Sequence, residues 1–144
     1  MIEQDTVKLL RECDAGIKMG VASIDDVLGH VKSEKLKTCL DECKNEHDKL
    51  QTEVGELLVN YGDEGKNPNP MAKSMSWLKT NMMLAADMSD STVADLITDG
   101  CNMGVKSLNK YLNQYSRADK RAKDITKRLI DLEKSLQFKK EAYL

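Results

Sequence analysis

The sequence predicts an all-α protein of four long helices set out as two helical hairpins, and three observations carry that reading. Apolar residues recur at three-four spacing over most of the chain, which is the stripe of a helix packed along one side. The composition, rich in Lys, Glu, Asp, Leu and Met with one Trp, one Phe and four Tyr, suits long helices and not sheets. A single strong break, with two glycines and two prolines, divides the chain near its middle. At 144 residues the chain is about one domain's worth and long enough to bury one core without disulfides or metals as staples, so 1–144 is expected to form a single domain.

The first helix follows from Val7, Leu10, Asp14, Ile17, Val21, Ile24, Leu28 and Val31, an unbroken stripe with one carboxylate in it. The second follows from Leu36, Leu40, Cys43, His47, Leu50, Val54, Leu57 or Leu58, and Tyr61, with charged residues on its other faces. Gly62-Asp63-Glu64-Gly65-Lys66-Asn67-Pro68-Asn69-Pro70 ends it. A shorter helix through Met71, Met75, Leu78, Met82 and Ala85 or Ala86 comes next, interrupted at the capping residues Ser89-Asp90-Ser91, where Thr92 and Asp95 resemble a capping box. The third stripe is Ala94, Cys101, Val105, Leu108, Leu112 and Tyr115; the fourth is Ala122, Ile125, Leu129, Leu132, Leu136 and Tyr143. Alternating Lys, Arg, Asp and Glu around the fourth stripe read as a solvated face. The first hairpin thus occupies about 3–62, the crossover about 63–89 and the second hairpin about 90–143.

A repeat links the halves. Gly16-Ile17-Lys18-Met19-Gly20-Val21-Ala22-Ser23-Ile24 aligns with Gly100-Cys101-Asn102-Met103-Gly104-Val105-Lys106-Ser107-Leu108 at an offset of 84 residues, with five of nine positions identical. A glycine inside a soluble helix costs about 1 kcal/mol relative to Ala, so four at matched places require a compensating reason. The expected reason is close approach of the first and third helices, parallel to each other, through touching G-x-x-x-G faces. The roughly 18 residues of the crossover helix span about 27 Å, enough to travel back along a helix of similar length. Paired hairpins joined by a long crossover resemble the ferritin-like superfamily. Together with the G-x-x-M-G-V-x-S repeat they resemble an uncharacterised bacterial branch of it, a domain of unknown function that lacks the usual di-iron ligands.

In metal-bearing proteins of that superfamily a Glu on helices one and three joins a Glu-x-x-His on helices two and four. Here Lys44 stands three residues before His47, the helix-four position equivalent to His47 is Leu129, and Asp14 has Thr98 as its repeat partner. No cofactor is therefore expected, and no residue is assigned a catalytic role. The alternative is a metal-binding or oxidoreductase site for zinc or iron. Cys39, Cys43 and His47 recur every fourth residue on one face of helix two, a spacing that presents two thiolates and an imidazole, and Cys13 or Asp14 would complete the set. Against it, cysteine also serves as a small buried hydrophobe. Asp14 and His47 each need a polar partner if buried, either one another or separate groups.

The formal net charge of −2 lacks the basic excess that gathers phosphates, so no nucleic-acid partner is expected. No apolar run approaches the roughly 20 residues that span a bilayer, and the acidic start Met1-Ile2-Glu3-Gln4-Asp5 is unlike an export signal. The reading is a cytoplasmic, non-catalytic interaction or structural module that forms a homo-oligomer or binds a helical protein partner, with Trp77 and the surrounding methionines as its contact surface.

Overall fold

The computed structural model describes residues 2–70, 73, 79–84 and 89–144. Among them there is no strand, and no helix is long and apolar enough to cross a membrane. Four long helices dominate: α1 (Ile2–Leu28), α2 (Glu34–Asn60), α3 (Asp90–Gln114) and α4 (Lys120–Lys140), followed by a 3-10 turn at Glu141–Tyr143. The crossover positions Met71, Met75, Trp77, Leu78, Ala85 and Ala86 lie outside the described residues. Residues 79–84 are helical, with Thr80 and Leu84 buried and Met82 exposed, so the inward face of this piece is not the one expected from Met82.

Side-chain caps set the helix starts. Ser33, Ser89 and Asp119 each accept a hydrogen bond from the backbone N–H three residues on, at Leu36, Thr92 and Ala122. The cap of α3 is thus Ser89, and Thr92 sits inside the helix, so the boundary falls three residues before the one that a Thr92–Asp95 capping box implied. At the far end of α2 the chain turns through Gly62 at φ +69°, which lets Gly62 N–H reach Val59 O (2.9 Å) and Asp63 N–H reach Leu58 O (3.0 Å).

Long-range bonds give the directions. Arg11 with Asp63 and Asp25 with Lys44 make α1 and α2 antiparallel. Thr98 with Lys140 and Asn102 with Gln137 do the same for α3 and α4. The Asp90 carboxylate accepts the N–H groups of Lys32 and Ser33 just beyond the end of α1, while Arg117 N–H donates to Asp5 at its start. So α3 runs antiparallel to α1. The expectation that the two are parallel was a geometric mistake: a segment returning along the length of α2 delivers the chain to the end from which α3 must descend beside α2.

The core is in two parts. Leu9, Leu10, Cys13, Ile17, Leu50, Val54, Leu58, Leu108, Ile125 and Leu129 fill one half, and Ile24, Val27, Leu36, Leu40, Cys43, Leu96, Ile97, Cys101 and Leu136 fill the other. All four helices cross from one half to the other, and they do so at Gly20, His47, Gly104 and Glu133.

Candidate functional site

A polar layer occupies that crossing. His47 is 1% exposed; its Nε2 lies 2.9 Å from Glu133 Oε1 and its Nδ1 lies 2.8 Å from the carbonyl oxygen of Cys43, one turn back on α2. A carbonyl only accepts, so Nδ1 carries a proton and donates. Burial opposes charge on the ring, but the hydrogen bonds with Cys43 and Glu133 outweigh it and push His47 up to about 10. At neutral pH the ring is an imidazolium that donates from both nitrogens, one bond being charge-assisted.

The glycines of the repeat make room for this pair. A methyl group on Gly20 would stand 2.9 Å from His47 Nε2 and 3.2 Å from its Cδ2, and one on Gly104 would stand 3.6 Å from Glu133 Cδ. Gly16 and Gly100 have nothing within 4 Å of such a methyl. The G-x-x-x-G faces therefore do not touch each other: the second glycine of each motif admits a side chain from α2 or α4.

The five candidate ligands are divided by the fold. Cys43 and His47 are together, with Cys43 Sγ 3.5 Å from Nδ1, and Cys39 lies half-buried a turn before Cys43. Cys39 and Cys43 open on a groove of about 270 Å³ between α2 and α4, with Glu42, Glu46, Ser135 and Lys139 around them. Cys13 is elsewhere, in the other half of the core, 3.2 Å from Thr126 Oγ1, and burial pushes its thiol up to about 11. Asp14 is also apart. Its Oδ2 accepts from Lys18 Nζ (2.8 Å) and from the backbone N–H of Lys66 (3.0 Å), beside a groove of about 430 Å³ that Glu56, Asp63 and Glu64 also line. Asp14 and His47 are thus satisfied separately. Among the described residues no three His, Cys, Asp or Glu side chains gather as a metal-holding group.

Two residues of this region, Glu133 and Lys140, are not among those the sequence singles out. Glu133 belongs to the alternating charges around the fourth stripe, but it falls four residues after Leu129 and three before Leu136, on the stripe itself, and is buried. Lys140, four residues after Leu136, is fully buried; its ammonium donates to Thr98 Oγ1 (3.2 Å), and burial holds its pKa below the usual lysine value. Thr98 receives that bond while giving its own proton to Ala94 O (2.7 Å). Cys101 is buried near Glu133, and its thiol is raised by that burial and by the carboxylate. No family model matches the chain, and neither does any curated protein or solved structure.

Proposed function

We propose that the chain is a ferritin-like four-helix bundle, built from two repeated hairpins and a long crossover, that works as a non-catalytic structural or interaction module. The observation that carries this reading is the layer at Gly20, His47, Gly104 and Glu133. A two-iron centre in this superfamily draws a carboxylate from each of the four helices and two imidazoles besides. Here two helices present glycine, α4 presents one carboxylate, and both nitrogens of the one imidazole are already hydrogen-bonded. These residues do not fit a two-iron group, and no reaction step is assigned to one.

The up-down-down-up order of the helices and the antiparallel placement of α1 and α3 support the ferritin-like assignment. The equivalence of Gly20 and Gly104, each facing a member of one polar pair, supports descent of the two hairpins from one. Self-association is supported by Met103 and Phe138, 70% and 73% exposed, which flank the Asn102–Gln137 bond joining α3 and α4. Light scattering on dilute protein tests the reading: two or more chains per particle is the expected result, and a stable monomer that binds no helical partner overturns it. The same preparation incubated aerobically with Fe(II) is expected to oxidise iron no faster than buffer does.

A further inference from the structure

We propose that Cys39 and Cys43 form a two-coordinate site for a soft monovalent metal ion, Cu(I), at the groove between α2 and α4. Both thiols are free and both line the groove. Their i, i+4 spacing sets the two Cβ atoms roughly 5–6 Å apart. Two metal–sulfur bonds of about 2.3 Å placed in line span about 4.6 Å, a separation close to that of the two Cβ atoms. Thiolate pairs select soft ions such as Cu(I) over harder divalent ones.

The surroundings fix the coordination number. His47 Nδ1 lies 3.5 Å from Cys43 Sγ, but both ring nitrogens are committed, to Cys43 O and to Glu133, so His47 supplies no third bond. Glu42 and Glu46 on the rim are exposed carboxylates, hard donors suited to ions other than Cu(I). Carboxylates can ligate zinc, but among the described residues no three His, Cys, Asp or Glu side chains gather here as a tetrahedral zinc site needs, whereas a linear ion needs only the two sulfurs. On binding, two S–H bonds lose their protons to solvent as two S–Cu bonds form, with no change in the oxidation state of copper or sulfur. The bis-thiolate complex carries one negative charge, and the Lys139 ammonium beside Cys39 lies on the same rim to meet it.

The test is anaerobic titration of the full chain with Cu(I) against a chromogenic bidentate chelator, with zinc(II) run in parallel. One Cu(I) per chain is expected, and Cys39→Ser or Cys43→Ser is expected to weaken binding by about 100-fold or more. The Cys13→Ser/Cys101→Ser double variant is expected to match the parent. His47→Gln, checked for native helicity, is expected to keep the affinity; a loss equal to that of Cys43→Ser overturns the two-coordinate assignment. Zinc binding as tight as Cu(I) binding also overturns it. A readout free of variants is protection: one equivalent of Cu(I) should shield Cys39 of the parent protein from iodoacetamide in peptide mapping, and unchanged labelling refutes the site.

Discussion

Replacing Gly20 with alanine sets two effects of opposite sign against each other. Alanine in place of glycine within a helix is worth about 1 kcal/mol in favour of the fold. At position 20, however, the new methyl would stand 2.9 Å from His47 Nε2, and His47 cannot swing aside because its other nitrogen is held by Cys43 O at 2.8 Å. Relief requires the ring to leave Glu133. A hydrogen bond to a charged group contributes about 1.5–3 kcal/mol, and a buried pair pulled apart costs about 3–5 kcal/mol. With the helix gain subtracted and some relaxation allowed, Gly20→Ala is expected to destabilise by about 1–3 kcal/mol, a fall in Tm of roughly 3–9 °C for a chain of this size. Gly16→Ala and Gly100→Ala meet open space and are expected to stabilise by up to about 1 kcal/mol each. Gly104→Ala, whose methyl meets Glu133 at an ordinary 3.6 Å, belongs with them. Thermal melts followed by far-ultraviolet circular dichroism, with urea titrations at 25 °C, read all four. If Gly20→Ala melts at or above the parent, as Gly100→Ala should, the account of the repeat as room for the polar pair is wrong.

Stability should also depend on pH through His47. Its pKa is raised in the fold from 6.5 to about 10, so the folded state holds the proton more tightly; the contribution is complete below about pH 6.5 and is lost as pH climbs towards 10. Urea unfolding at pH 6, 8 and 9.5 should show a decline on the order of a few kcal/mol that His47→Gln removes. Lys140→Met is expected to hold or raise Tm, by about 1 kcal/mol of stability, because it removes an ammonium buried against a neutral hydroxyl while Thr98 keeps its bond to Ala94 O. Under native conditions iodoacetamide should label Cys39 first, with buried Cys13 and Cys101 reacting at the rate of global unfolding; fast labelling of Cys13 would contradict its packing beside Thr126.

Much of the fold was legible because helices write their burial locally. The stripes through Leu10, Ile17 and Ile24, and through Leu36, Leu40, Cys43, His47, Leu50 and Val54, are buried in the structure at all but partly covered places. The Gly62 break and the start of α3 near position 90 fell where the turn chemistry placed them. The site was harder. His47 stood out as a polar residue on an apolar stripe, but Glu133 sits 86 residues away in a helix where charge alternates, and only its spacing from Leu129 and Leu136 marked it as inward. Asp14 had one local partner, Lys18 at i+4; the other, the N–H of Lys66, comes from a loop 52 residues on and leaves no local trace. The matched glycines were correctly singled out as needing a reason, but contact between backbones was the wrong one, since the side chains they admit belong to the two other helices.

The position of the His47–Glu133 pair also governs how α2 and α4 can mate. Apolar stripes of Leu and Ile are nearly indifferent to sliding by one helical turn, about 5.4 Å, because each leucine finds another leucine. A slide of α4 by one turn would set His47 beside Leu129 or Leu136 and strand Glu133 in an apolar layer, a state several kcal/mol worse than the native one. The pair is thus a key that fits one notch: it makes every other alignment of the two core halves costly.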